Sequence, residues 1–175
     1  MTQSPKLRAS KSSDHPRPAA AIAFVRDTAG GIEIYLSRRP GHFRYFPGAF
    51  VFPGGRAETD DADMRATACR EVKEEIGVEI DPARLALLRE THTAAHAGPV
   101  YHLFIFACQV DGELTTSINT DEIDEEIWIT ARDALVRLDL PYQIMAAVQF
   151  ISRFSNAAGL IEALKAGPMD GEYLY

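Results

Sequence analysis

Three glutamates, Glu71, Glu74 and Glu75, lie close together in the segment REVKEEIGVE, residues 70–79. On a helix they fall within about 100° of one another, beside an apolar stripe. That stripe consists of Met64, Ala68, Val72 and Ile76. Like charges at this spacing repel by roughly a few tenths of a kcal/mol per pair, so a helix needs a reason to carry them. Grouped carboxylate oxygens suit Mg2+ or Mn2+, whereas a solvated charged face is the alternative that involves no ligand.

A glycine turn precedes this helix by a short distance. The segment FVFPGG is a β-like run that ends in Pro53, Gly54 and Gly55. Glycine allows the backbone to approach a ligand closely. A strand, a glycine turn and an acidic helix in this order predict a pocket where backbone groups and carboxylates hold a metal ion and a phosphate.

Residues 55–78, GRAETDDADMRATACREVKEEIGV, resemble the box of the Nudix hydrolases, G-x5-E-x7-R-E-U-x-E-E-x-G-U. The matching residues are Gly55, Arg70, Glu71, Val72, Glu74, Glu75, Gly77 and Val78. Asp61 replaces the first glutamate of the box, and eight residues rather than seven separate it from Arg70. That departure resembles the coenzyme A diphosphatase branch of the family, in which FPGG and two spaced aspartates precede the helix.

The resemblance implies a role for each matching residue. The implied metal ligands are Glu71, Glu74, Glu75 and the backbone carbonyl of Gly54 or Gly55. Arg70 would hold the carboxylates in place. Arg70 and Glu74 are both predicted to be catalytic residues. Gly54 would also contact the substrate, and Asp61 would take the role of the first glutamate. The implied reaction is the hydrolysis, by an activated water, of a nucleoside diphosphate linked to another moiety.

An acidic segment beyond the box offers a further catalytic carboxylate, which the family often uses as a ligand or general base. This segment, TDEIDEEIW, spans residues 120–128. Glu122, six residues before Trp128, lies where the resemblance predicts that carboxylate. We therefore predict Glu122 as the catalytic base in preference to Glu125, with an acidic solvated loop as the alternative.

The segment upstream of the box, YLSRRPGHFRYFPGAFVFPGG, resembles the substrate-linked signature of the coenzyme A branch. Leu36, Arg39, Arg44, Gly48 and the FPGG run fall in register, but Phe46 replaces the histidine of the signature and Ala49 its usual polar residue. Arg39 and Arg44 are predicted to bind a substrate phosphate, because guanidinium groups suit phosphate geometry. A coenzyme A or acyl-coenzyme A substrate is favoured, with ADP-ribose, ADP-sugars and dinucleoside polyphosphates as alternatives.

The remaining patterns predict the elements that position these residues. Strands are predicted at residues 19–27, 32–39, 85–94 and 99–110, and helices at 61–77, 131–138, 141–154 and 157–167. An acidic loop is predicted at residues 119–127, before the segment WIT. Asp61 is predicted as the N-cap of the first helix and Gly77 as its stop. The mixed order of elements favours an α+β fold, a Nudix-type α/β/α sandwich around a mixed β-sheet.

Length and charge limit the remaining possibilities. We predict a disordered basic tail at residues 1–18 and a single Nudix hydrolase domain at residues 19–175. The net charge of -7 argues against nucleic acid and anionic membranes as partners, and a cytoplasmic location is expected. The predicted partner is a small-molecule diphosphate. Homodimers are frequent in the family, although no residue pattern indicates an interface.

A second hypothesis concerns a different class of protein, a catalytically silent Nudix module that binds a nucleotide or a partner protein. Such a module is expected to lose carboxylates of the box. This helix keeps all three, which favours an active enzyme.

Overall fold

The computed structural model describes residues 16–93 and 100–167. Within them the strands are β1 (Arg17–Thr28), β2 (Gly31–Arg38), β3 (Phe50–Val51), β4 (Gly54–Arg56), β5 (Ala86–His92), β6 (Tyr101–Gln109) and β7 (Glu125–Thr130). The helices are α1 (Met64–Ile76), α2 (Ala131–Arg137), α3 (Tyr142–Ile151) and α4 (Ala157–Ala166), with a 3-10 turn at Pro82–Arg84. The strands form one mixed sheet with the order β3-β2-β1-β6-β5, in which β4 also pairs with β1 and β7 with β2.

The central strand β1 determines where the glycine turn lies. Its residues 19–25 are all buried, because helices cover both faces of the sheet. On one side β1 pairs in parallel with β6. On the other side it pairs antiparallel with β4 through residues 19–21 and with β2 through residues 25–28. The glycine turn, as β4, is thereby attached to the first half of the central strand.

Two apolar clusters lie on opposite faces of this sheet. On one face, the apolar stripe of α1 shares a cluster with Ile22 and Phe24 of β1. On the other face, α2, α3 and α4 share a cluster with Ala23 and Val25. Successive side chains of a strand point to opposite faces, so β1 contributes to both layers. The architecture confirms the predicted α/β/α sandwich around a mixed sheet.

The start of α1 differs from the prediction. The N-cap is Asp63, whose side chain accepts a hydrogen bond from the Ala66 N–H at 2.8 Å. Asp61 is therefore not the N-cap, because its carboxylate is bound by Arg70 instead. The predicted stop at Gly77 is confirmed, since this residue has a left-handed φ of 71° and its N–H donates to the Lys73 carbonyl.

Some predictions fall on other boundaries or outside the described residues. β1 begins at Arg17, two residues before the predicted start of the domain, and pairs there with Tyr101. Residues 1–15 of the predicted tail, residues 94–99 and residues 168–175 lie outside the described part of the chain. In the part that is described, every helix is too short or too polar to cross a membrane.

Candidate functional site

Two glycines bring the backbone of β4 against α1. The Gly54 N–H donates a hydrogen bond to the Glu75 carboxylate at 2.8 Å. A Cβ at Gly54 would collide with the backbone of Ala20 on β1, and a Cβ at Gly55 would collide with the Glu71 carboxylate. Because the obstacle at Gly54 is backbone, that position requires glycine, whereas a side chain at Gly55 would displace the Glu71 carboxylate. The turn therefore holds main-chain groups directly beside two carboxylates of α1.

Arg70 connects α1 with the segment that precedes it. Its guanidinium donates to both carboxylate oxygens of Asp61, each at 3.0 Å, and to the Arg56 carbonyl at 2.8 Å. It also donates to Glu71 at 2.9 Å and to Glu74 at 3.2 Å. One side chain on α1 thus fixes the positions of three carboxylates and of the end of β4.

Asp61 supports this arrangement and does not face the cleft described below. Its side chain is only 7% exposed. Besides the two bonds from Arg70, it accepts hydrogen bonds from the Glu58 N–H at 2.8 Å and the Thr67 hydroxyl at 2.9 Å. These donors, Arg70 above all, hold the pKa of Asp61 well below its usual range. Four hydrogen bonds use the acceptor capacity of a carboxylate, which makes Asp61 a positioning residue.

Glu71, Glu75 and Glu122 line one cleft of about 670 Å3. Burial, together with the charges of Glu71 and Glu122, raises the pKa of Glu75 to about 8, although the hydrogen bond from Gly54 opposes this change. Burial also raises the pKa of Glu71, against the effect of Arg70. Neighbouring carboxylates that disfavour one another's charge are a common feature of functional sites.

Glu74 is placed differently from the other two helix carboxylates. Its side chain is 54% exposed, and its described ion pair is with Arg70, one turn earlier on the helix. It is not among the residues that line the cleft. The sequence prediction grouped Glu74 with Glu71 and Glu75 from their angles around the helix and from the resemblance, whereas in the structure the Glu74 carboxylate pairs with Arg70.

The oxygen donors in the cleft fit a hard divalent cation, but they are not preassembled around one point. Within residues 16–93 and 100–167, no group of three or more Asp, Glu, His or Cys side chains has a geometry that holds a metal ion. In the structure Arg70 donates to the Glu71 carboxylate, and the Gly54 N–H donates to the Glu75 carboxylate. Mg2+ and Mn2+ prefer carboxylate and carbonyl oxygens, so Glu71, Glu75 and Glu122 supply suitable donors once they turn toward an ion.

The acidic segment separates into residues with different surroundings. Glu122 is half-buried and lines the cleft. Glu125 pairs with Arg38 at 3.2 Å on the surface, and Glu126 accepts a hydrogen bond from the Tyr35 hydroxyl at 2.7 Å. The two later glutamates were predicted to lie in the acidic loop, but they belong to β7 and are not among the residues that line the cleft.

Of the two arginines predicted to bind phosphate, the structure brings only Arg39 to the cleft. Arg39 is half-buried, its Nε donates to the Tyr45 carbonyl at 3.1 Å, and its guanidinium lies 4.8 Å from the centre of the Phe43 ring. Arg44 is exposed and lies outside the residues that line the cleft.

Phe46, which replaces the histidine of the coenzyme A signature, also lines the cleft. Its φ is 50°, a left-handed conformation that bulky residues rarely adopt. The turn is closed by the Ala49 N–H, which donates to the Phe46 carbonyl at 3.2 Å, and by the Gly48 N–H, which donates to the Arg39 carbonyl at 3.1 Å. A strained residue at this position indicates that the loop is fixed by its surroundings.

Sequence reasoning missed the contribution of α3. Pro141, Gln143 and Ile144 line the cleft opposite the acidic helix. Gln143 is only 5% exposed, which is unusual for a glutamine. A signal was present in the sequence, because this glutamine interrupts an otherwise apolar helix start, PYQIMAA.

Comparison with known proteins gives a matching family model and several relatives. A family model described as NUDIX domain matches residues 15–148. Among curated relatives, proteins described as uncharacterized Nudix hydrolase NudL, from Yersinia pestis strain Pestoides F and Yersinia pseudotuberculosis strain IP 31758, are each 28% identical over 102 residues. These matches cover 58% of this chain and 50% of each relative, so the chain spans about half the length of the curated relatives it matches.

Solved structures with the same fold include several hydrolases. A Nudix hydrolase from Alicyclobacillus acidocaldarius has a TM-score of 0.76 and 23% identity, covering 88% of this chain and 99% of that one. The NUDIX domain of Shewanella oneidensis NrtR, solved with ADP ribose, has a TM-score of 0.66 and 14% identity, covering 84% and 92%. A C. elegans Ap4A hydrolase has a TM-score of 0.62 and 20% identity, covering 79% and 99%. At these identities the likeness shows the fold.

Proposed function

Because the chain belongs to the Nudix family, we propose that it hydrolyses the phosphoanhydride bond of a nucleoside diphosphate linked to a second moiety. The observation that carries this proposal is that Glu71, Glu75 and Glu122 share one cleft with the backbone of Gly54 and Gly55. Carboxylates alone would repel a diphosphate. These carboxylates are oxygen donors that would hold a divalent cation, whose positive charge would make the cleft favourable for a diphosphate.

Mg2+ or Mn2+ would be held by Glu71 and Glu75, with the Gly55 carbonyl as a further oxygen donor. Glu74 would join these ligands only by leaving Arg70. Such an ion neutralises phosphate oxygens and lowers the pKa of the attacking water. Glu122, which is half-buried and lines the cleft, is proposed to accept the proton of that water.

Two arginines have separate proposed roles. Arg39 lines the cleft and would bind a phosphate of the substrate through its terminal nitrogens, while its Nε stays bound to the Tyr45 carbonyl. Arg70 would act as a positioning residue, since its hydrogen bonds go to Asp61, Glu71 and the end of β4. Neither role requires Arg44, which is exposed.

A coenzyme A or acyl-coenzyme A molecule is the favoured substrate, because the upstream segment keeps Leu36, Arg39, Gly48 and the FPGG run of that branch. The replacement of its histidine by Phe46 argues for testing other diphosphates. The Shewanella domain was solved with ADP ribose and the C. elegans protein is an Ap4A hydrolase, so ADP-ribose and dinucleoside polyphosphates are the alternatives.

A screen of purified protein tests this proposal. Coenzyme A, acyl-coenzyme A, ADP-ribose, ADP-sugars, dinucleoside polyphosphates and NADH are incubated with Mg2+, Mn2+ or EDTA, and the products are separated by chromatography. We expect hydrolysis of at least one compound that requires the divalent ion. Glu75→Gln should lower this activity by about a hundredfold or more, because it removes a charged ligand. Glu79→Gln, at an exposed carboxylate that pairs with Lys73, is the matched control and should keep full activity.

The same screen distinguishes a second candidate, a silent module that binds a nucleotide without turnover. This candidate is favoured by the outward position of Glu74, which is paired with Arg70 rather than facing the cleft. If a nucleotide diphosphate binds tightly and is not cleaved in Mg2+, in Mn2+ or in EDTA, the result would support the silent module and reject the enzyme.

A further inference from the structure

Glu122 lies on the connection between β6 and β7, residues 110–124, which contains neither helix nor strand. We call residues 116–123 of this connection the base loop, because they carry the proposed proton acceptor. A proton acceptor must lie within hydrogen-bond reach of the water that it deprotonates. The contacts that fix the base loop therefore decide whether Glu122 can act.

The base loop is attached to the last turn of α1. The Ser117 N–H donates to the Ile76 carbonyl, and the Asn119 N–H donates to the Glu75 carbonyl, each at 2.8 Å. The last four carbonyls of a helix have no partner within the helix, so the base loop supplies partners for two of them. Because Glu75 is a proposed metal ligand, the loop that carries the base is bound to the same helical turn as that ligand.

Asn119 extends this contact to Glu122. Its main-chain carbonyl accepts hydrogen bonds from the Glu122 N–H at 3.0 Å and the Ile123 N–H at 2.9 Å. Its side-chain oxygen accepts one from the Asp121 N–H at 3.1 Å. An asparagine that binds the N–H two residues further along forms an Asx turn, which fixes the local direction of the chain. Two hydrogen bonds in series thus lead from the main chain of Glu75 through Asn119 to that of Glu122.

A second chain of hydrogen bonds holds the start of the base loop. The hydroxyls of Tyr35 and Thr116 donate to different oxygens of the Glu126 carboxylate, at 2.7 Å and 2.8 Å. Tyr35 belongs to β2 and is only 1% exposed. Burial, followed by the hydrogen bond to Glu126, raises the pKa of Tyr35, so its hydroxyl stays protonated and remains a donor. Glu126 thereby ties the base loop to the interior of the sheet.

We propose that Asn119 and Glu126 are positioning residues of the reaction, which fix the base loop at two points and so keep Glu122 in reach of the attacking water. This inference rests on the proposed function, since it takes Glu122 as the proton acceptor. Neither Asn119 nor Glu126 lines the cleft, so each acts through Glu122 and not on the substrate. A displacement of about 1 Å in a reacting group can cost about 100-fold in rate, which makes such fixation important.

Single variants at Asn119 test the first contact. Asn119→Ala removes the side-chain acceptor of the Asx turn and should lower kcat about tenfold, with KM changed by less than about twofold. Asn119→Asp keeps an acceptor at the same place and should restore most of kcat. Thr120→Ala, at an exposed position in the same turn, is the matched control and should keep the kcat of the wild type.

Glu126 is tested in the same way. Glu126→Ala removes the acceptor of both hydroxyls and should lower kcat by about threefold to tenfold, whereas Glu126→Gln keeps one amide oxygen and should lower it less. Glu125→Ala is the matched control, because Glu125 precedes it on β7 and pairs with Arg38 on the surface. An unchanged kcat in both Asn119→Ala and Glu126→Ala would overturn the proposal.

A double-mutant cycle distinguishes positioning of Glu122 from a general effect on the fold. Asn119→Ala and Glu126→Ala are each combined with Glu122→Gln. If both residues act through Glu122, neither should lower the residual kcat of the Glu122→Gln protein by more than about twofold. Losses as large as those in the wild-type background would show an effect that bypasses Glu122 and would reject the positioning role.

Hydrogen exchange followed by mass spectrometry gives a measurement that needs no substrate. In EDTA, Asn119→Ala should exchange faster than the wild type and Thr120→Ala at residues 117–123, with exchange in α1 unchanged. Faster exchange throughout the protein would indicate general destabilisation and contradict the proposal.

The kinetics separate failure of this inference from failure of the proposed function. If Glu122→Gln lowers kcat but Asn119→Ala and Glu126→Ala do not, the positioning role alone is rejected. If Glu122→Gln leaves kcat unchanged, or the wild type hydrolyses no diphosphate, the proposed function fails at that point and the positioning role fails with it.

Discussion

At the residue scale, the central feature is a carboxylate, Glu75, buried beside two others. Burial, followed by the charges of Glu71 and Glu122, raises the pKa of Glu75 to about 8, and the hydrogen bond from Gly54 and the charge of Arg39 only partly oppose this change. A neutral side chain at the same position would avoid the free-energy cost of burying a charge beside two other carboxylates. A cation bound to the oxygens of these carboxylates would remove the repulsion among them, which would account for a buried glutamate at this position.

Substituting this residue should therefore stabilise the metal-free protein. In EDTA at pH 8.5, Glu75→Gln should raise the melting temperature by roughly 2–6 °C, because a buried charge is removed while the oxygen that accepts from Gly54 is kept. Addition of Mn2+ should raise the melting temperature of the wild type but not that of the variant. Differential scanning fluorimetry with and without Mn2+ measures both effects.

The exposed Glu79 provides the control for this experiment. Glu79→Gln should leave the melting temperature and its response to Mn2+ close to those of the wild type, because this side chain is 76% exposed. A Glu75→Gln protein that is less stable than the wild type in EDTA would mean that Glu75 contributes to the fold itself and not to a cation site.

The proposed proton acceptor gives a second prediction at this scale. Glu122→Gln should lower kcat by about 100-fold to 10,000-fold, the usual contribution of a general base, and change KM much less. The matched control is Glu125→Gln, because Glu125 pairs with Arg38 at the surface. Steady-state kinetics on the substrate found in the screen gives both constants. An unchanged kcat in Glu122→Gln would assign the base to another residue.

At the element scale, α1 depends on two aspartates that precede it in the chain. Asp63 caps the helix, whereas Asp61 forms four hydrogen bonds, two of them with Arg70. Both tie the segment after β4 to the first turns of α1. The orientation of the helix carboxylates relative to the glycine turn follows from these bonds.

Breaking the Asp61 contact should destabilise the protein in a way that depends on pH. At pH 7, Asp61→Asn should lower the free energy of unfolding by about 1–3 kcal/mol, because Arg70 loses the carboxylate that accepts two of its hydrogen bonds. Since the folded-state pKa of Asp61 lies below its unfolded value of about 3.9, this contribution is complete above roughly pH 5 and is lost as the pH falls through the folded-state pKa. Urea unfolding of both proteins between pH 3 and pH 7 measures the difference.

The neighbouring exposed residue serves as a comparison. Asp60→Asn should have little effect at any pH, because Asp60 lies on the surface. If the stability difference between the wild type and Asp61→Asn did not shrink below pH 4, the contribution of Asp61 would not be electrostatic.

Local patterns predicted the elements better than their exact limits. The stripe of α1 and the stop at Gly77 were predictable because both depend on residues within two turns of helix. The N-cap was assigned to Asp61 instead of Asp63, since either aspartate satisfies a local rule and only the distant pairing with Arg70 separates them. The start of β7 was missed for a similar reason, as pairing with β2 is a long-range contact.

At the scale of the whole molecule, the layered fold was predictable and the cleft was not. Alternating faces and mixed element order predict the sandwich, because each face of the sheet must be covered. The cleft joins β1, the loop after β2, α1 and α3, which come together only in the folded chain. Of the side chains predicted to bind or react, Glu71, Glu75, Glu122 and Arg39 line the cleft and Glu74 and Arg44 do not. Gln143 lines the cleft without having been predicted.

The central claim is that the carboxylates of the cleft bind a divalent cation, and direct Mn2+ binding tests it most directly. Mn2+ is titrated into the wild type, Glu75→Gln and Glu79→Gln, and the free ion is measured by electron paramagnetic resonance. We predict saturable binding to the wild type and Glu79→Gln, displacement by Mg2+, and affinity about tenfold or more weaker in Glu75→Gln. Equal Mn2+ affinity in Glu75→Gln and the wild type would contradict the account.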